Sequence, residues 1–339
     1  MSGQPAVSVC IANYNGLGII DDCIASVLAQ DFGFPVEIIV HDDASTDGSA
    51  QHIRDHFSEV RLLESVENVG FCIANNRMAL VAKGEYLLLL NNDAALFSDA
   101  LRTLHQAATA IGEPTILGLP QYDAVTDELI DIGSVFDPFL NPIPNLNKNR
   151  SEVGMVIGAC LWIPRLLWKE LGGFPDWFGS LAEDMYLCTL TRLDGYTVQT
   201  LGTSGFYHHV GKSFGGGKVT KENRLVTSMK RRALSERNKS FVMALTYPAP
   251  MFQLIFPLHL VLLVLEGAAL ALIKREWILF QDIYLACLKA LWRERGRLRR
   301  LRREIQAGRR VSIKQFFSVF GLMPHKFSML LRHGLPEIR

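Results

Sequence analysis

Over the first ~95 residues, short apolar runs alternate with stretches of helical spacing, the signature of a βαβ series. Val7 to Ala12 predicts a strand, and Ile20, Ile24, Val27 and Leu28 recur at helical spacing after it. Val36 to Val40 predicts a second strand, with Ile53 and Phe57 marking the next helix. Val60 to Leu63 predicts a third strand, followed by a helix from about Phe71 to Ala82. Tyr86 then opens a run of leucines, Leu87 to Leu90, apolar on both faces as a central parallel strand requires. Right-handed crossovers would join these into a mostly parallel central sheet with flanking helices, an α/β fold. The stretch from Asp137 to Asn149 is rich in Pro and Asn and predicts a long loop. A second apolar unit, Val156 to Leu171, leads into Gly172-Gly173-Phe174-Pro175.

The pattern changes after residue 240. Leu254 to Ile273 is almost wholly apolar and long enough to span a bilayer, yet it contains Pro257, His259 and Glu266. His259 and Glu266 share a helix face. Ile278 to Trp292 is a second apolar, amphipathic run. Lys230, Arg231, Arg232, Arg237 and Lys239 precede these runs, and nine arginines lie between Arg293 and Arg310. Basic charge on both sides disfavours a single crossing. Two helices lying in the interface, or a shallow hairpin, fit better. The competing expectation is a soluble helical subdomain with a very apolar core. The division expected is a catalytic domain over 1–240 and a helical, membrane-associating region over 241–339.

Bulk composition adds less. The chain has 339 residues, and its 35 basic and 34 acidic side chains nearly cancel, so net charge points to no partner. Six scattered cysteines form no C-x-x-C pair, which argues against a zinc site or disulfide framework and fits a reducing compartment. Met1 to Ala6 lacks a basic n-region and an apolar h-region, so no signal peptide is expected.

The candidate chemistry sits at the carboxyl ends of the predicted strands, where open α/β sheets bind ligands. The first strand ends in Asn13-Tyr14-Asn15 and the second in His41-Asp42-Asp43, then Ser45, Asp47 and Gly48. The third leads to Asn68-Val69-Gly70-Phe71 and the fourth to Asn91-Asn92-Asp93. No G-x-G-x-x-G follows the first strand and no G-x-x-x-x-G-K-[ST] occurs, which argues against a dinucleotide dehydrogenase and a P-loop NTPase. Carboxylates and amides at this edge can hydrogen-bond a base and ribose and hold a metal that neutralises a diphosphate. Polar turns are the plain alternative. Ser45 and Asp47 are the better helix-cap candidates, which would leave Asp42 free for a ligand.

Glu183 and Asp184 follow an aromatic loop containing Phe174, Trp177 and Phe178. They read either as an acidic first helical turn or as a general base with its orienting neighbour. Tyr207-His208-His209-Val210-Gly211-Lys212-Ser213, then Phe214 and three glycines, combines a metal-ligand type with a glycine-rich segment suited to phosphates or to a lid.

Taken together and in order, these residues resemble the family-2 glycosyltransferases with a GT-A fold. The segment Val40 to Ser49 resembles that family's V-D-D/N-x-S-x-D-G-S element, with His41 replacing a small apolar residue. Asn68-x-Gly70-Phe71-x-x-Ala74-Asn75-Asn76 resembles the next helix start, and Gly84 to Asp93 the strand bearing a D-x-D-like metal motif. Gly172-Gly173-Phe174 through Glu183-Asp184 resembles the acceptor loop and E-D motif, and His208-x-x-Gly211-x-Ser213 the late histidine motif. The similarity covers roughly 5–240, and the tail is similar to that of bacterial rhamnosyltransferase-like members.

The resemblance implies inverting, non-processive transfer of a sugar from a nucleotide-diphosphate donor to a hydroxyl of a saccharide, expected to be lipid-linked, in cell-surface polysaccharide synthesis. It implies donor contacts from Asn13, Asn15, Asp42, Asp43, Asn68, Gly70, Asn75, Asn91 and Asn92. Asp93 and His208 would hold Mg2+ or Mn2+. Asp184, assisted by Glu183, would be the base, and Trp177, Phe178, His209, Lys212 and Ser213 would form the acceptor side and lid. The cytoplasmic face of the plasma membrane is the expected location, as a peripheral or monotopic protein, with no nucleic-acid partner. The D-x-D motif reads Asn91-x-Asp93, which leaves one carboxylate, and no Q-x-x-R-W follows the E-D pair, unlike processive synthases. A catalytically degenerate membrane scaffold is the alternative of a different class. A sugar-nucleotide pyrophosphorylase is disfavoured by the missing glycine-rich N-terminal loop.

Overall fold

The computed structural model describes residues 4–209, 216–219 and 225–338. Its elements follow in chain order. The first strands and helices are β1 (Val7–Asn13), α1 (Ile20–Leu28), β2 (Val36–Asp42), α2 (Ser49–His56), β3 (Val60–Glu64), α3 (Phe71–Val81) and β4 (Tyr86–Asn91). Then come β5 (Ala94–Leu96), α4 (Ala100–Ile111), β6 (Thr115–Gly118), β7 (Gln121–Asp123), β8 (Leu129–Asp131), β9 (Ser134–Phe136) and β10 (Pro142–Pro144). They are followed by β11 (Cys160–Pro164), α5 (Arg165–Leu171), α6 (Glu183–Leu193), β12 (Thr197–Thr200) and β13 (Phe206–His208).

These elements build a seven-stranded sheet in the order β12-β6-β11-β4-β1-β2-β3 and a four-stranded sheet in the order β5-β13-β7-β8. β1 runs parallel to both β2 and β4, with Asn13 opposite Asp42 and Ala12 opposite Asn91. β11 is antiparallel to β4. The order of the first four strands reverses at β1, so the crevice between β1 and β4 is a topological switch point. Leu87, Leu88 and Leu89 are fully buried, as the two-faced apolar run requires. Helix α1 buries Ile20, Cys23, Ile24 and Val27 on one face, and α4 buries Ala100, Leu101, Leu104 and Ala108. Asp21 and Asp22 complement the dipole at the start of α1.

The chain divides into two compact units. One comprises 1–134, 144–192 and 196–209, and the other 135–143, 193–195 and 210–339. The second unit holds β14 (Gly216–Val219), β15 (Leu225–Thr227), α7 (Met229–Thr246), α8 (Met251–Lys274), α9 (Trp277–Leu279), α10 (Ala286–Arg293) and α11 (Arg295–Ala307). It ends with α12 (Ile313–Phe316), α13 (His325–His333) and β16 (Glu337–Ile338). Helix α7 begins on Ser228, whose hydroxyl accepts the Arg231 N–H at 3.2 Å.

Two sequence expectations need correction here. The run predicted as a loop over 137–149 contains the strand β10 and buries Asp137, Asn141 and Asn145. Within the second unit, Asp137 accepts the N–H of Phe139, of Asn141 and of His325, the last at 2.7 Å, so its carboxylate organises the segment. The apolar run 278–292 is not one regular helix. A π-helical stretch, Phe280–Leu285, separates α9 from α10, and Tyr284 within it is fully buried. Two of the basic residues before α8 also face inward: Arg232 pairs with Glu266, and Lys239 with Glu236 at 2.9 Å.

Candidate functional site

The site grows from β1 outward. Asn13, the last residue of β1, is buried; its amide nitrogen donates to Asp42 Oδ1 at 2.8 Å and to Ser49 Oγ at 3.0 Å. Its amide oxygen accepts from Asn92 Nδ2 at 2.9 Å. One asparagine thus links the ends of β1, β2 and β4. Asp42 also accepts the Ser45 N–H at 2.9 Å, so it is held rather than free, contrary to expectation. Ser45 is not a helix cap; its hydroxyl accepts the Asn15 N–H at 2.9 Å, while Asp47 takes the Ser49 N–H at the start of α2. Asn15 sits at φ +50, a left-handed position that Asn tolerates, and its side chain accepts the Thr46 N–H at 2.8 Å.

Asp43 spends both oxygens on the loop after β3, accepting Val69 N–H at 2.7 Å and Gly70 N–H at 2.8 Å. Gly70, at φ +87, opens α3 with a backbone that an L side chain adopts only under strain. The Cys72 N–H then donates to Gly179 O at 3.1 Å, which ties this loop to the aromatic loop. Asn68 is exposed beside Gly70. Asn75 is buried with its amide on the Phe71 carbonyl of its own helix, whereas its neighbour Asn76 bonds Phe174 at both backbone groups and Asp176 Oδ1 at 2.7 Å.

Beyond β4, Asp93 is buried, and His208 Nε2 on β13 lies 3.1 Å from its Oδ1. The pairing follows from β13 running antiparallel to β5, with His208 opposite Ala94. The other ring nitrogen, Nδ1, lies 2.9 Å from Gln121 Nε2 on β7, which fixes the ring. Gln121 had no signal in the sequence, because it stands on a three-residue strand without periodicity. His209 donates its backbone N–H to the Asp93 carbonyl at 3.0 Å and lines a cavity of about 480 Å3 with Asp22, Ser26, Asp93 and Tyr207. Lys212 and Ser213 lie outside the described residues.

Glu183 and Asp184 begin α6 and are both buried. The two residues before them, Leu181 and Ala182, have φ values of +72 and +62. Such non-glycine positions cost about 1–2 kcal/mol each, and strain of this kind gathers at functional sites. Asp184 Oδ2 accepts the Gly158 N–H at 3.0 Å, and the next residue, Ala159, accepts the Asn91 N–H at 3.0 Å through its carbonyl. The E-D pair is therefore anchored next to the end of β4. Phe178 is fully buried against Trp177 and Tyr186, so it walls the core rather than presenting an acceptor surface; Trp177 is half-buried.

The edge is strongly acidic. Burial, followed by the nearby Glu183, Asp176 and Asp184, pushes the Cys72 thiol up, and burial with Asp93 does the same at Cys23. Asn91 Oδ1 is a buried acceptor without a hydrogen bond, and Asp93 Oδ1 has only the close approach of His208 Nε2. Two hard oxygens with an imidazole nitrogen close by fit a divalent cation. Among the described residues no group of three or more His, Cys, Asp or Glu side chains converges, so most ligands of such an ion would come from elsewhere.

Comparison with known proteins bears on the fold and the family. Residues 8–168 match the model of glycosyl transferase family 2. The chain is 34% identical over 111 residues to a succinoglycan biosynthesis protein, ExoO, of Rhizobium meliloti, covering 32% of this chain and 31% of that one. Matches to other curated relatives cover 38%, 28% and 32% of their length, so the chain spans well under two thirds of them. The crystal structure of GalNAc-T7 with UDP, GalNAc and Mn2+ superposes with a TM-score of 0.60 at 14% identity, covering 75% of this chain and 50% of that one. The mannosyltransferase PcManGT from Pyrobaculum calidifontis, in complex with GDP-Man and Mn2+, gives 0.51 at 20% identity, covering 86% and 89%. At these identities the structural likeness carries the fold alone. Residues 8–168 of the chain are thus similar to glycosyl transferase family 2, and the fold is that of the GT-A glycosyltransferases.

Proposed function

We propose that this protein is an inverting, non-processive glycosyltransferase that moves one hexosyl or deoxyhexosyl unit from a nucleotide-diphosphate sugar to an acceptor hydroxyl. The observation that carries the reading is the joining of three strand ends through Asn13, with the Asp93–His208 pair at the same switch point. Asn13, Asn15, Asp42, Asn68, Asn91 and Asn92 supply hydrogen-bonding groups for base, ribose and diphosphate. Asp43 and Gly70 hold the loop that closes one side. Asp93, the Asn91 amide oxygen and His208 would hold Mg2+ or Mn2+, which supplies positive charge to a departing diphosphate. Both structural neighbours named above carry Mn2+, which supports that choice.

Asp184 takes the proton of the acceptor hydroxyl as its oxygen forms a bond to the anomeric carbon. The bond from that carbon to the diphosphate breaks on the opposite side, and its electron pair leaves with the nucleotide. Single displacement inverts the configuration. Glu183 and the Gly158 N–H orient the base. His209, Trp177, Lys212 and Ser213 are assigned to the acceptor side and lid.

The division into a catalytic domain over 1–240 and a membrane-associating helical region over 241–339 belongs to the same proposal. Helix α8 has the length and hydropathy of a membrane span, but its inner face carries Glu266 in ion pairs with Arg232 and Lys326, and His259 2.9 Å from Ser240 Oγ. A helix anchored through one polar face supports lying in the interface over crossing it. A bacterial acceptor built on a lipid at the cytoplasmic face of the plasma membrane fits such a position, and the succinoglycan relative supports a polysaccharide product. The discriminating variant is Asp184→Asn, which keeps the acceptor oxygen for the Gly158 N–H. Folding and nucleotide binding are expected unchanged while transfer falls at least about a thousandfold. Transfer within about twofold of wild type removes Asp184 from the mechanism.

A further inference from the structure

A second cavity, of about 340 Å3, opens in the helical unit and is lined by Ala249, Gln253, Arg302, Arg303, Gln306 and Arg309. Three of its six lining side chains are guanidinium groups and none is an acid. Arg302 is rigid: it donates to the carbonyls of Ala244 at 2.9 Å and Tyr247 at 2.7 Å, and its guanidinium carbon lies 3.8 Å from the centre of the Phe252 ring. Gln306 donates to the carbonyls of Leu245 and Thr246. These bonds satisfy the end of α7, which accounts for Arg302 and Gln306 as cap residues. They do not account for Arg309, nor for Arg303, whose Nε donates to the Arg299 carbonyl at 3.3 Å and leaves the guanidinium's other nitrogens for a ligand. Arg309 Nη1 is buried without a hydrogen-bond partner. Burial pushes Arg302 down to about 10.

Gln253 places the cavity relative to α8. It is exposed in the first turn, and from there Leu254, Leu258, Val261, Leu262 and Leu265 run along one helix face, each at least 40% exposed. The cavity thus lies beside the first turn of α8, the N-terminal end of the helix that carries this stripe. We propose that it binds the phosphate of an anionic membrane-lipid headgroup while the stripe enters the acyl boundary of the same bilayer. Guanidinium forks match phosphate oxygens in pairs, and headgroup phosphates sit just above the depth reached by such a helix. The inference rests on the membrane-association reading above and deepens it by naming the headgroup contact.

Flotation of the full-length protein with vesicles tests it, using phosphatidylcholine with and without phosphatidylglycerol. The double variant Arg303→Gln/Arg309→Gln is expected to lose about tenfold in affinity for the anionic vesicles. Arg299→Gln/Arg300→Gln, which removes equal charge from exposed positions outside the cavity, should lose at most about threefold. Equal losses in the two doubles, or none in the first, overturn the site while leaving the apolar stripe standing. A wild type that floats with neither vesicle overturns the membrane reading itself. A second measurement needs no variant: short-chain phosphatidylglycerol should shield Arg303 and Arg309 of the wild type from phenylglyoxal and leave Arg299 and Arg300 reactive. Equal reactivity at all four with and without the lipid overturns the proposal.

Discussion

A Cβ placed on Gly16 would lie 2.1 Å from Asn13 Oδ1 and 2.6 Å from Asn92 Nδ2, inside the hydrogen bond that joins β1 to β4. Gly16→Ala is therefore expected to separate the two asparagines. Nucleotide affinity should fall about tenfold or more while the fold survives with a loss of about 1–3 kcal/mol, read by titration calorimetry and urea denaturation. Affinity unchanged in a folded variant would show that the Asn13–Asn92 link is incidental. The asparagines were legible in the sequence because they end apolar runs; Gly16 was not, because the space it leaves is defined by a residue 76 positions away. A second residue gives a pH signature. Burial pushes the Asp131 carboxyl up to about 6, against hydrogen bonds from the Asn145 N–H and the Ser134 hydroxyl. An unfolded Asp titrates near 3.9, so the folded chain holds the extra proton between the two values. This contribution is complete below about pH 4, is lost as pH rises through about 6, and stays lost above. Asp131→Asn should then stabilise the protein at pH 7.5 by roughly 2–3 kcal/mol, with no advantage left near pH 4. Denaturation curves at several pH values check this, and a variant no more stable at pH 7.5 than wild type contradicts it.

At the scale of elements, periodicity revealed the βαβ series and failed where polar residues turn inward. The leucines of β4 could only be a central strand, and α1 showed its buried face directly. Asp137 and Asn141 looked like turn residues because both are common there; in the fold they meet His325 N–H and Lys239 Nζ, partners some 188 and 98 residues away. Helix α8 was legible as apolar, but only the fold separates its exposed Leu258 and Leu262 from its buried Leu263 and Leu270. That distinction permits a test on the full chain. Leu258→Asp/Leu262→Asp should move the protein from the membrane to the soluble fraction with its thermal midpoint nearly unchanged, since neither side chain is buried. Unchanged fractionation of the folded double variant would remove α8 from membrane contact. Truncation at residue 247 would be a poorer test, because Tyr247 is fully buried and packs on Phe316, Phe317 and Phe320.

For the whole molecule, each unit concentrates one kind of chemistry. The first gathers Asp42, Asp43, Asp93, Glu183 and Asp184, all buried, at one end of a parallel-rich sheet. The second encloses a network in which Glu236 is held well below the ordinary carboxylate range by Lys239, Lys326 and Arg232 despite its burial, and turns apolar leucines outward. A sheet edge this acidic has little use for a diphosphate without a cation, and a cation has few protein ligands there without a diphosphate. Donor and metal should therefore bind together. The most direct test is titration calorimetry of the full-length protein with UDP, GDP and dTDP, each with Mn2+ or Mg2+. The expected result is binding of one nucleoside diphosphate that weakens at least about tenfold when the metal is chelated or in Asp93→Asn. Binding of none of the three with either metal, or binding indifferent to both chelation and Asp93→Asn, would contradict a donor site at the β1–β4 switch point.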